Sequence, residues 1–147
     1  MVKKQVVLMV STKFPAYHIR KGQETNFPYK IKKGTKIHTL RGNYENWYQR
    51  IKQINLGFKY LSVRIWTGMP YRSKQKEIAR FEKVGIQKCV LTAHDVHIFD
   101  AEGKIPSKSL LAKNDGLTNP DFESWFDLEN INPLKEFAII HFTDFRY

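Results

Sequence analysis

The chain has a single cysteine, Cys89, among 147 residues. An internal disulfide is therefore impossible, and cysteine-rich metal frameworks are excluded. The compartment this implies is the reducing cytoplasm. No apolar run approaches the length of a membrane span. The segment MVKKQVVLMV has a basic start, but it lacks the longer apolar core and small-residue cleavage site of a signal peptide. Internal repeats and low-complexity tracts are absent. Acidic residues are scarce through the first two thirds of the chain. Residues 1–99 hold 20 Lys+Arg against 5 Asp+Glu, whereas residues 100–147 hold 5 against 9.

The composition favours a packed domain. The chain is 41% hydrophobic and 14% aromatic, enough for a sizeable core and unlike a disordered chain. Its length suits one domain over residues 1–147. The net charge of +11 and the pI of about 9.8 point to a polyanionic partner, with nucleic acid the first candidate. Nothing in the pattern asks for a cofactor, a metal or a membrane.

Short strands dominate the hydrophobic pattern. Residues 6–10 form a β-branched, apolar run that reads as a buried strand. Residues 13–28 carry two prolines and a glycine and read as a loop. Residues 29–33 suit a short strand or a turn, and residues 37–40 a strand. A helix is expected over 43–51, with Trp47 and Ile51 one turn apart. Leu61, Val63 and Ile65 alternate with Ser62 and Arg64, the period of a half-buried strand. Residues 72–84 suit either a charged helix or a linker between strands. Residues 86–92, 96–99 and 137–145 read as strands. Ser107 is placed to cap a short helix over 107–113, and Gly116 to end it in the left-handed region. Pro120 sits near the start of a second helix, whose apolar face is Phe122, Trp125 and Phe126. The expected class is α+β, mainly β: a partly open β-barrel with short peripheral helices.

The stretch richest in chemistry is Gly-Thr-Lys-Ile-His-Thr-Leu-Arg at residues 34–41. Lys36, His38, Thr39 and Arg41 crowd together after a glycine. Such a cluster can hold a phosphate, polarise a carbonyl or activate the threonine. The rigid fork of Arg41 suits bidentate phosphate or base-edge contacts, with an ion pair to Asp115 as the structural alternative. Gly34 permits a tight turn or a close ligand approach. Trp47, Tyr44 and Tyr48 follow directly. Aromatics among cations suit base stacking, but a helix with Trp47 and Ile51 one turn apart more often presents them as a core face. His18 and His38 are further candidates. His94-Asp95-Val96-His97 lacks a third ligand of known position and reads as a polar loop rather than a metal site. Cys89 reads as an inert core thiol.

Gly34-x-Lys36-x-x-Thr39-x-Arg41 resembles the signature of ASCH domains, a branch of the PUA-like superfamily. Leu111-Ala112-Lys113-Asn114-Asp115-Gly116-Leu117, followed by Asp121-Phe122-x-x-Trp125-Phe126, resembles the family's later motif. Phe137-Ala138-Ile139-Ile140-His141-Phe142 is similar to its last strand. The resemblance spans roughly residues 6–145. It implies a PUA-like barrel with a cleft between sheet and helices that binds RNA or a modified nucleoside; the residues read above, Lys36, His38, Thr39, Arg41 and Trp47, are the candidates to line it. One branch of the family comprises small amidohydrolases that deacetylate N4-acetylcytidine. Its lysine, threonine and glutamate correspond to Lys36, Thr39 and Asp115. Aspartate is one methylene shorter than glutamate, and placement errors near 1 Å can cost about 10²-fold in rate. The stretch around residues 66–85 is also extra to that branch. Lys36 and Thr39 are three apart and would face opposite sides of a strand, so joint chemistry requires a turn or bulge between them.

Overall fold

In a computed structural model, residues 2–103 and 106–147 are described. The elements in order are β1 (Lys4–Met9), α1 (Phe27–Lys33), β2 (His38–Gly42), α2 (Tyr44–Asn55), β3 (Lys59–Trp66), β4 (Gln75–Phe81), β5 (Gly85–Leu91), β6 (Val96–Ile98), α3 (Lys108–Asn114), α4 (Asn119–Phe126) and β7 (Phe137–His141). They form two sheets, ordered β1-β3-β4 and β2-β7-β5-β6. The class is α+β, mainly β. Among the described residues, no strand pairing closes the two sheets into one barrel.

The four-stranded sheet lies between two apolar layers. All five residues of β7 are buried. A strand covered on both faces reads as a continuous apolar run rather than an alternating one. Ile139 points into a cluster built with Leu40, Leu111, Phe122 and Tyr147. Ala138 and Ile140 point the other way, into a cluster with Leu8, Ile51, Leu61 and Val63. The helices α3 and α4 cover the first face. The three-stranded sheet and α2 cover the second. Fully burying a Leu or Ile side chain contributes about 1.5–3 kcal/mol, so these two clusters hold the layers together.

The sequence expectations meet this fold unevenly. Ser107 caps α3, its hydroxyl accepting the Leu110 N–H, and Thr118 does the same for α4. The segment expected as a strand or turn at residues 29–33 is the helix α1. Asn26 and Gly34 bracket it, both in the left-handed region. Pro28 sits in its first turn, and Lys30, Lys32 and Lys33 complement the negative end of its dipole. The ambiguous stretch 72–84 contains the strand β4, hairpinned to β3. Ile78, Ala79 and Phe81 pack toward the core, and the charges that suggested a helix belong to its exposed residues. The last strand stops at His141 rather than continuing to Phe145.

Candidate functional site

The turn after α1 places Lys36. Gly34 takes φ 85 and closes the helix, and the N–H groups of Gly34, Thr35 and Lys36 all reach the Lys30 carbonyl. No atom lies within 4 Å of a Cβ built on Gly34, so the glycine serves the turn rather than ligand approach. Ile37 N–H then bonds the Asn114 carbonyl, tying this turn to the end of α3. Lys36 is therefore outside β2. It escapes the strand alternation that would have turned it away from Thr39.

Lys36 Nζ donates to Asp115 Oδ1 at 2.9 Å and to the Asp115 carbonyl at 2.7 Å. It also sits 4.1 Å from the Phe27 ring centroid. The side chains of Lys36 and Asp115 are 2% and 4% exposed. Asp115 caps the C-terminus of α3, where a cation is favoured. Gly116 follows at φ 79. A Cβ there would lie 3.1 Å from Lys36 Cβ, so the glycine lets the two segments meet. Burial pushes the Lys36 ammonium well below the ordinary lysine range, against the pull of Asp115. For Asp115, burial alone would raise the carboxyl, but the Lys36 charge and His38 outweigh it and hold it below the usual range. The carboxyl is therefore ionised at neutral pH.

Pairing of β2 with β7 sets the facing of the next residues. Thr39 lies opposite Ile140 and Arg41 opposite Ala138. Arg41 Nη2 donates to the Met9 carbonyl at 2.6 Å, while its Nε is buried without a partner. Lys36, Thr39, Arg41 and Asp115 all line one cavity of about 330 Å³. Tyr17, Phe27, Trp125 and Phe126 supply aromatic lining, and Lys135 adds a third cation. Asp115 is the one carboxylate among these lining side chains.

No family model, curated protein or solved structure matched the chain. The likeness to ASCH domains accordingly stands on the residues quoted from the sequence.

His38 lies behind Asp115 and does not line the cavity. Its Nδ1 is 3.5 Å from Asp115 Oδ1, too far for a good hydrogen bond. Its Nε2 is 2.6 Å from Tyr147 Oη, which also accepts from Asn114 Nδ2 at 3.0 Å. The Tyr147 hydroxyl then donates to Nε2, which accepts, leaving Nδ1–H toward the carboxylate. Burial lowers the His38 pKa despite Asp115, so the ring is neutral at neutral pH. His141 packs edge-on against His38, with centroids 5.6 Å apart. Its Nε2 meets Gln87 Oε1 at 2.9 Å. Burial, with lesser effects from His38 and Arg146, pushes its pKa down to about 3.

The aromatic lining was not singled out as a site in the sequence. The loop before α1 docks on α4 to build it. Tyr17 Oη donates to the Trp125 carbonyl at 2.8 Å, and Arg20 pairs with buried Asp121 at 2.7 Å. His18 accepts the Arg20 N–H at Nδ1, so its Nε2–H donates to the Asp121 carbonyl. His18 therefore anchors the loop. Trp125 is fixed by Phe14, His18 and Phe27, with ring centroids 5.6–5.9 Å away. Trp47 is not brought to the cavity. It packs against the cluster containing Ile51 and Ile54, with the Arg50 guanidinium 5.0 Å over its ring. Arg41 and Asp115 form no ion pair, because Lys36 takes the carboxylate. Among the described residues no His/Cys/Asp/Glu group could hold a metal ion, and no helix is long and apolar enough to cross a membrane. His94 and His97 are exposed, and the Thr92 hydroxyl accepts the Asp95 N–H in the turn between β5 and β6.

Chemically, the cavity offers flat apolar walls, a buried lysine, a half-buried arginine, a rim lysine and one carboxylate that is already paired. Such a lining suits a planar ring bearing acceptor atoms or negative charge. Thr39 Oγ1 is not bonded to Lys36 Nζ, whose side-chain hydrogen bonds both go to Asp115.

Proposed function

We propose that the chain is an ASCH-type, PUA-like binding module that takes a nucleotide or modified nucleoside of RNA in this basic cavity. The observation that carries the reading is the convergence of Lys36, Thr39, Arg41 and Asp115 on one aromatic-walled cavity. The unpartnered Arg41 Nε supports it. A buried donor left unsatisfied costs about 1–3 kcal/mol, and an acceptor on a ligand removes that cost. The volume, about 330 Å³, lies at the small end of ligand sites and suits one nucleoside rather than a large cofactor. The charge of residues 1–99 supports a polyanion as the wider partner. The partly open barrel belongs to this reading too, with the two sheets as its walls. Log affinity for RNA should fall linearly with log salt. Salt-independent affinity, or none, would remove the reading.

A second reading is an amidohydrolase acting on N4-acetylcytidine. It is favoured by the depressed Lys36 pKa, since a neutral amine can take the proton of a threonine hydroxyl. Thr39 Oγ would attack the acetyl carbon, and the C–N4 bond would break with a proton passing to N4. Water would then release acetate from the threonine ester. Asp115, ionised, suits activation of that water better than donation to the amine. Lys36 must first leave Asp115. Incubation with N4-acetylcytidine separates the readings: no turnover eliminates the enzyme, and turnover surviving Thr39→Ala eliminates the threonine-ester mechanism.

A further inference from the structure

The three-stranded sheet has an outer face that the cavity does not use. On β3, Leu61 and Val63 pack into the core, so strand alternation puts Tyr60, Ser62, Arg64 and Trp66 on the other face, where Ser62 is itself fully buried and the other three are half-buried. Gln5, Val7 and Met9 of β1 lie beside the first three. Arg64 is laid across all three strands. Its Nε donates to Ser62 Oγ at 2.9 Å, Nη1 to Gln75 Oε1 at 3.1 Å and Nη2 to Gln5 Oε1 at 2.5 Å. These three acceptors are uncharged; Glu77 lies opposite Arg64 across the β3–β4 ladder, accepts from Ser62 Oγ at 2.6 Å and pairs with Arg80 at 3.2 Å. Glu77 offsets part of the Arg64 charge, and the three hydrogen bonds hold the guanidinium in place.

Aromatic rings flank this guanidinium. Tyr60 lies four residues before it on the same face, with the Arg80 guanidinium 4.2 Å over its ring. Trp66 lies two residues after it, with Tyr71 of the hairpin loop 5.1 Å away. Tyr71 is 89% exposed and sits at φ 63, a conformation rare for a bulky residue. Backbone strain of this kind clusters at functional sites. Residues 59–83 contain seven Lys+Arg and two Asp+Glu.

We propose that this face, from Tyr60 through Arg64 and Trp66 to Tyr71, is a docking platform for single-stranded nucleic acid. Bases stack on aromatic rings and on arginine planes, while the surrounding cations follow the phosphates. An acidic peptide would match the charge but gain little from the flat faces. The platform also lies close to the cavity. Met9, whose carbonyl accepts from Arg41 of the cavity lining, is the strand partner of Arg64, so β1 links the two sites. The platform deepens the cavity reading, which supplies the nucleotide whose flanking chain it would carry.

The test is fluorescence anisotropy with a labelled 12-mer of oligouridylate, beside calorimetry with the uridine and cytidine monophosphates. Tyr71→Ala, at a fully accessible position, should weaken the 12-mer about fivefold or more. Arg64→Lys keeps the charge, so it should weaken the 12-mer without changing the salt slope. Neither should alter binding of a monophosphate. Unchanged 12-mer affinity in both variants, or no 12-mer binding by the wild type, overturns the proposal. Polyglutamate that competes as well as the 12-mer does so too. Failure of the monophosphates, with both variants still weakening the 12-mer, removes the cavity reading and leaves the platform standing.

Discussion

Lys36→Met keeps the stem of the side chain and removes its ammonium. In the native protein that ammonium satisfies both Asp115 Oδ1 and the Asp115 carbonyl, with the pair almost wholly buried. The variant leaves a buried carboxylate whose nearest other donor is His38 Nδ1 at 3.5 Å, on a ring that burial keeps neutral. Breaking a buried pair in this way costs about 3–5 kcal/mol. With a urea slope of about 1.5 kcal/mol/M, the midpoint should drop by about 2–3 M. Replacing both members, Lys36→Met with Asp115→Asn, should recover most of that loss, because two buried ions repay their desolvation poorly. The pH dependence has a definite sign. Native Asp115 is held low, so its contribution is complete above the unfolded value of about 3.9 and is lost as pH falls through the folded value. In Lys36→Met, burial without the cation raises the carboxyl pKa. That variant therefore loses stability as pH rises from about 3.9 toward the raised value, and its deficit should narrow from pH 7 toward pH 4. A single-variant cost under about 1 kcal/mol, or a double variant as unstable as the single, would refute the reasoning.

Other outcomes follow from the same geometry. His141 is neutral in the folded state with a pKa of about 3, against an ordinary value near 6.5. Stability should fall as pH drops from 6.5 toward 3, by up to about 1.4 kcal/mol per unit for each buried neutral ring, His38 adding to His141; urea midpoints at pH 7, 5.5 and 4.5 measure it, and a flat profile counts against neutral rings. Gly34→Ala should destabilise by about 1 kcal/mol through the left-handed φ of 85 alone, with ligand affinity intact. Trp47→Phe should leave nucleotide affinity unchanged, because the ring packs on Ile51 and Ile54 rather than on the cavity; a tenfold loss by calorimetry would place it at the ligand.

Elements whose signal is local were legible. The alternation of residues 61–65, the Ser107 cap and the Gly116 turn each act within a few positions, and each appears where the pattern placed it. The helix α1 was not legible, since seven residues span under two turns and Asn26 and Gly34 set its ends through backbone conformation. β4 was obscured because an edge strand turns few residues inward and leaves its charges in water. Within the site, Lys36, Thr39 and Arg41 were visible as a cluster, and Asp115 entered through the later motif. The aromatic lining and the tyrosine behind His38 were not. Tyr17 meets Trp125 across 108 positions, and His38 meets Tyr147 across 109. Contacts at such separations leave no periodic trace. The extra residues near 66–85, awkward for the family resemblance, carry the β3–β4 hairpin, with Tyr71 against Trp66.

The most direct test of the central claim is calorimetric titration of the wild type and of Arg41→Met with cytidine and uridine monophosphates and with N4-acetylcytidine. The wild type should show one saturable site. Monophosphate binding should be at least tenfold weaker in Arg41→Met, consistent with about 1.5–3 kcal/mol for a charge-assisted hydrogen bond. No binding by the wild type at millimolar ligand, or equal binding by the variant, would contradict it.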